Sequence, residues 1–110
     1  MATSKHDLFD IELQRSAALF KALAHPARLA ILKYLADIKS CITGDISDEI
    51  PLSRTTVNQH LAELNKVGLI KGTIKGAKTN YCINQDNVKL LSKVLNEFVD
   101  SIYSEEKICE

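Results

Sequence analysis

Between Pro51 and Gly68 the chain has room for one helix and its caps. Ser53 supplies a side-chain oxygen for the N-cap, Pro51 interrupts whatever precedes it, and Gly68 ends the run. Val57, Leu61 and Leu64 recur at i, i+4 and i+7, so they share one face and require burial. At about 100° per residue, Thr55, Gln59, Ala62 and Lys66 lie opposite, flanked by Thr56 and Asn58. An ordinary solvated face carries Lys and Glu about four apart, and here only Glu63 and Lys66 resemble that pattern. The remainder is short hydroxyls and amides with no carboxylate at the centre. Such groups hydrogen-bond base edges and phosphate oxygens when a helix lies in the major groove. The pattern predicts a DNA-reading helix.

The flanking segments fit that reading. Thr43 is placed to cap a short helix over 44–50, with Ile46 and Ile50 as its buried pair, and Pro51-Leu52 turns the chain into the next helix. Two helices so joined, the second with the polar face, make residues 43–67 a helix-turn-helix. After Gly68, residues 69–75 read as a strand, Gly76-Ala77-Lys78 as a turn and residues 79–83 as a second strand. The resulting basic hairpin, 69–84, is a candidate wing with Lys75 and Lys78 near its tip. The expected DNA contacts are therefore Ser53, Arg54, Thr55, Thr56, Asn58, Gln59, His60 and Lys66 from the helix, with Lys75 and Lys78 from the wing. His60 lies at the border of the apolar face, where a phosphate bond and an internal contact are both open.

Residues 1–6 are expected to be disordered, and 7–23 to form a helix that is apolar around more than half its circumference. His25-Pro26 breaks it and starts a second helix over 27–36, with Ala27, Ala30, Ile31, Tyr34 and Leu35 inward and Arg28 and Lys33 toward solvent. Residues 37–43 read as a connection. In the last helix, 86–103, Val88, Leu91, Leu95, Phe98 and Ile102 form a heptad-like stripe, widened by Leu90, Val94 and Val99. One small domain does not readily cover both faces, so 7–23 and 86–103 are expected to form a homodimer interface. The plainer alternative is that they pack on each other within one chain. The whole is mainly α with a small β-hairpin: a winged helix-turn-helix of order α-α-α-α-β-β-α in a single domain, 1–110.

A formal net charge of zero argues against nucleic acid, but the distribution does not. Residues 53–84 carry Arg54, Lys66, Lys71, Lys75 and Lys78 against Glu63 alone, while acids predominate from Gln85 onward. A positive middle and an acidic tail suggest one surface for phosphate and another for a different partner. Met1 to Asp10 is polar and charged, unlike a secretory leader, and no apolar run reaches membrane-spanning length. The three cysteines, Cys41, Cys82 and Cys109, are odd in number and widely spaced, so a disulfide framework is not expected and a reducing cytoplasm fits. An enzyme would need a nucleophile with its base. Cys41 with His60 is the one candidate pair, and no glycine-rich phosphate loop, acidic pair or zinc signature accompanies it.

Leu19-Phe20-Lys21-Ala22-Leu23-Ala24-His25-Pro26-Ala27-Arg28-Leu29-Ala30-Ile31-Leu32 resembles the opening signature of the ArsR-type (ArsR/SmtB) winged-helix repressors. Residues 52–64 are similar to that family's recognition helix, and Val67-Gly68-Leu69-Ile70-Lys71-Gly72 and Tyr81-Cys82-Ile83 to the strands of its wing. The resemblance covers residues 15–95 and implies a homodimeric repressor of double-stranded DNA. Its operator would be a pseudo-palindrome, matching a two-fold protein. Release would follow binding of an inducer, often a soft metal or metalloid ion. The metal-sensing pattern is incomplete, however. Relatives often carry Cys-x-Cys ahead of the helix-turn-helix, where this chain has Cys41-Ile42-Thr43, and the last helix has no histidine for the family's other site. A further family mode pairs two distant cysteines as a redox or persulfide switch, and Cys41 with Cys109 is the corresponding pair. Metal or thiol sensing would then involve Cys41, Cys82 and Cys109, against a reading of all three as structural. A winged-helix protein-interaction module and a constitutive repressor without such an inducer are the alternatives.

Overall fold

The computed structural model describes residues 5–43, 46, 49–75 and 78–106, with only the backbone given for His6, Thr43, Ile74, Lys75, Lys78 and Thr79. The expected disorder of residues 1–4 lies outside this range, and Lys5–Leu8 forms a 3-10 turn. The first helix does not run unbroken from residue 7. Helix α1 is Ile11–Leu23, because Asp10 leaves the helical conformation and caps it, accepting a hydrogen bond from the Glu12 N–H at 2.8 Å. Helix α2 is Pro26–Ile38. Pro26 occupies its first turn and His25 caps it through Nδ1, which accepts from the Ala27 N–H at 3.0 Å. It runs two residues past the expected end and stops at Lys39, in the left-handed region at φ 53°.

Residues 37–43, expected as a connection, contain the end of α2 and a short strand β1, Ile42–Thr43. The strand pairs antiparallel with β3, Lys78–Ile83, which also pairs with β2, Ile70–Lys75. The hairpin is thus part of a three-stranded sheet of order β1-β3-β2. Strand β3 begins at Lys78, where the sequence reads turn, because Lys78 pairs with Lys75. Gly72 pairs with Tyr81 at φ 131°, and a Cβ there would collide with the Asn80 carbonyl.

Of the expected short helix over 44–50, residues 44, 45, 47 and 48 lie outside the described range. The Ile50 N–H donates to the Ile46 carbonyl at 3.2 Å, and both isoleucines are buried as their spacing requires. Helix α3 is Arg54–Lys66 and helix α4 is Gln85–Ile102. The core gathers Ile31 and Leu35 of α2, Ile46 and Ile50, Val57, Leu61 and Leu64 of α3, and Leu69, Ile70 and Tyr81 around the sheet.

Helices α1 and α4 are different. Ala22 is the one buried residue of α1, and α4 has none. Val88 and Leu91 rest against the core, but Leu90, Leu95, Phe98, Val99 and Ile102 remain exposed. The two helices touch through Phe20 and Phe98, whose rings meet edge to face at 5.8 Å. No helix among the described residues is long and apolar enough to cross a membrane.

Candidate nucleic-acid interface

Helix α3 begins with a Ser53 N-cap in extended conformation. The Thr56 N–H donates to Ser53 Oγ at 3.3 Å, and the Ser53 hydroxyl donates to Thr56 Oγ1 at 3.1 Å. These bonds orient the first turn before any ligand arrives. Val57 and Leu61 are 1% exposed and Leu64 is fully buried, so the rotation of α3 about its axis is fixed by packing. Arg54, Thr55, Gln59, Ala62 and Lys66 consequently face outward, with Thr56 and Asn58 half-buried at the flanks. Lys66 lies 3.7 Å from Glu63, an exposed pair one turn apart that leaves the lysine free to exchange partners.

Two of the sequence assignments change. His60 is only 9% exposed and belongs to the inner face beside Leu61 and Leu64. Its Nδ1 accepts from the Arg28 Nε–H at 3.1 Å, and its ring lies 4.3 Å from that of His25. Of the two contacts left open by its position, the structure shows the internal one. Arg28, expected at the solvent side of α2, is half-buried for the same reason, and it also donates to the Lys21 and Ala22 carbonyls at 3.3 Å each. One guanidinium thereby joins the C-terminal end of α1, where carbonyls are unpaired and the helix dipole is negative, to α3. Accepting at Nδ1 requires a neutral ring with its proton on Nε2. Desolvation first, then the charges of His25 and Arg28, hold the His60 pKa below its ordinary value.

Lys75 and Lys78 pair in register at the end of the β2–β3 ladder that residues 76 and 77 connect, and those two residues lie outside the described range. The opposite end of the sheet is tied to the end of α3. Gly68, at φ 81°, ends α3 where a Cβ would collide with Asn87, and Asn87 Nδ2 donates to the Gly68 carbonyl at 2.9 Å.

Cys41 is exposed and Cys82 half-buried, both as free thiols. They are neighbours, because the pairing of Ile42 with Tyr81 brings the residue before β1 opposite Cys82. The Cys41 thiol is held above its ordinary pKa by its hydrogen bond with Cys82, by desolvation and by the charge of Cys82, while Lys71 acts in the other direction. Sequence alone missed this proximity because β1 was read as loop. Cys109 lies outside the described residues. Among the described residues no three of His, Cys, Asp and Glu gather as a metal-binding group. Among the described residues Cys41 and Cys82 supply two of the four ligands that a closed zinc site takes.

The comparisons agree with this geometry. Residues 25–71 match the family described as bacterial regulatory protein, arsR family. The chain is 37% identical over 84 residues to the uncharacterized HTH-type transcriptional regulator MJ1325 of Methanocaldococcus jannaschii, covering 76% of this chain and 94% of that protein. It is 32% identical over 91 residues to the transcriptional repressor PagR of Bacillus anthracis, covering 83% and 91%. Its fold is similar to the solved structure of the cadmium metal-sensor CMTR from Mycobacterium tuberculosis, with a TM-score of 0.51, 30% identity and 86% and 93% of the two chains covered. A recognition-type helix with a packed inner face, followed by a winged sheet, thus coincides with these matches, and the chain belongs to the ArsR family of DNA-binding transcriptional regulators.

Proposed function

We propose that the chain is a cytoplasmic homodimeric repressor that places α3 in the major groove and the β2–β3 tip on the adjacent backbone. The observation that carries this reading is the outward face of α3, where Thr55 and Gln59 project from a helix whose rotation is fixed by Val57, Leu61 and Leu64. Gln59 is the base reader, since a side-chain amide can bond adenine at two positions. Ser53, Arg54, Thr55, Thr56, Asn58 and Lys66 position the helix on phosphates, and Lys75 and Lys78 do so from the wing. The exposed apolar stripes of α1 and α4 support a two-fold dimer. Such a dimer presents its two α3 helices about 34 Å apart, one DNA turn, and so reads a pseudo-palindrome. Kinship with PagR, named a transcriptional repressor, favours repression as the outcome.

Titration of labelled operator by fluorescence anisotropy tests the docking. Gln59→Ala is expected to weaken the specific site by about 1–3 kcal/mol and to leave random-sequence binding nearly unchanged. Equal weakening on both DNAs would make Gln59 a backbone contact and leave base reading to another residue.

A further inference from the structure

Cys41, Cys82 and Lys71 form a row across the sheet. Lys71 pairs with Cys82 in the β2–β3 ladder, and the β1–β3 register, extended by one residue, brings Cys41 opposite Cys82 on its other side. Paired residues of an antiparallel ladder project to the same face. The three therefore line one open hollow of about 500 Å³, together with Lys39, Ala36 and Leu35 from the end of α2. Directly opposed residues have Cβ atoms about 4.5–5.5 Å apart, and a disulfide requires about 3.5–4.5 Å. Closure needs a shift of only about 1 Å. Cys41 can make it, because it is exposed and lies just outside a strand two residues long.

We propose that Cys41 and Cys82 are a dithiol modification site that a peroxide converts to an intramolecular disulfide, joining the lead-in of the helix-turn-helix covalently to the wing strand β3. This reading does not depend on DNA binding. One deprotonated sulfur attacks a peroxide oxygen, the O–O bond breaks, and a sulfenic acid forms as the other oxygen leaves as water. The neighbouring sulfur then attacks the sulfenic sulfur, the S–S bond forms, and the S–O bond breaks to release a second water. Two electrons pass from the sulfurs to hydrogen peroxide, giving one disulfide and two waters. Of the two ammoniums at the hollow, that of Lys71 lowers the Cys41 pKa against the larger upward effect of the hydrogen bond with Cys82, so attack by the Cys41 thiolate quickens as the pH rises. The presence of both ammoniums also argues against a cation as the natural occupant.

The test oxidises the reduced full-length protein with equimolar hydrogen peroxide, traps remaining thiols with N-ethylmaleimide, and maps the peptides by mass spectrometry. One of the three thiols should remain, the mass should fall by about 2 Da, and the linked peptides should contain Cys41 and Cys82. Dithiothreitol should reverse the change. Cys109→Ser keeps both sheet cysteines and should form the same bond, whereas Cys41→Ser and Cys82→Ser, checked for folding by circular dichroism, should form none. A Cys41–Cys109 link, an intersubunit link, or sulfinic acid at Cys41 with Cys82 still alkylated would each overturn the proposal.

Discussion

The body built from α2, α3 and the sheet and the pair formed by α1 and α4 contain similar kinds of apolar residue but treat them differently. In the first, Ile31, Leu35, Leu61, Leu64, Leu69 and Ile70 are almost wholly enclosed by one chain. In the second, Leu90 remains 51% exposed and Ile102 66%. Helix α3 is thus fixed by contacts that a single copy supplies, whereas the outer helices present a surface that a single copy leaves in water. Contiguous apolar surface of this kind is characteristic of an interface. The proposed dimer and DNA contact would divide along this line, the enclosed body orienting the groups on α3 and the exposed helices meeting a second copy.

Substitutions can break or sharpen that contrast. The largest effect is expected for Leu64→Ala, which removes a fully enclosed side chain and should cost about 2–5 kcal/mol in urea unfolding. That loss should not depend on protein concentration. Leu95→Ala should cost less, and its cost should grow with concentration if α4 is buried between copies. A concentration-independent loss at Leu95 as large as that at Leu64 would erase the distinction. Next comes Phe98→Asp, which introduces a carboxylate at the Phe20 contact. Loss of the dimer by sedimentation, with operator binding falling at least tenfold, is expected. A folded variant that stays dimeric would take this face out of the interface.

A smaller effect is expected inside the reading body. Because the fold holds the His60 pKa down, below about pH 6.5 the unfolded chain binds a proton that the folded chain resists. The stability due to neutral His60 is therefore complete above that pH and is lost as the pH falls through the folded-state value. Urea midpoints should decline on acidification from about pH 7.5 to 5, and His60→Gln should flatten that part of the decline. The smallest effect is at the wing, where Lys78→Ala should lower the salt slope of operator binding by about one unit. An unchanged slope would place Lys78 away from the phosphates.

What could be read in the sequence was what is local. The i, i+4, i+7 spacing of Val57, Leu61 and Leu64 and the Ser53 and Gly68 caps all lie within one short stretch, so α3 was visible in it. The inner contact of His60 was not, since Arg28 is 32 residues away and reaches it only once α2 packs on α3. Likewise Ile42–Thr43 has no strand signal of its own and exists as β1 only through Tyr81 and Asn80. The Cys41–Cys82 pair was hidden by the same dependence. The interruption before α1 is a different case, because Asp10 is an N-cap residue that could have been weighed against the apolar pattern. On the candidate site itself, the outward set on α3 was legible and the inward turn of His60 was not.

The bond from Asn87 to the Gly68 carbonyl has a mechanical consequence. It fastens the first turn of α4 to the exit of α3, and the Asn84 N–H reinforces it by donating to the Leu69 carbonyl at 3.0 Å. Helix α4 has 18 residues, a rod of about 27 Å held near its start by the Asn87 bond and further along by Phe98 against Phe20. A swing of about 5° at its start displaces its far end by about 2 Å. Run in reverse, a displacement of the far end of α4 becomes a smaller, geared-down rotation at the exit of α3. Asn87 therefore couples the orientation of α4 to the end of α3 through a single side-chain amide.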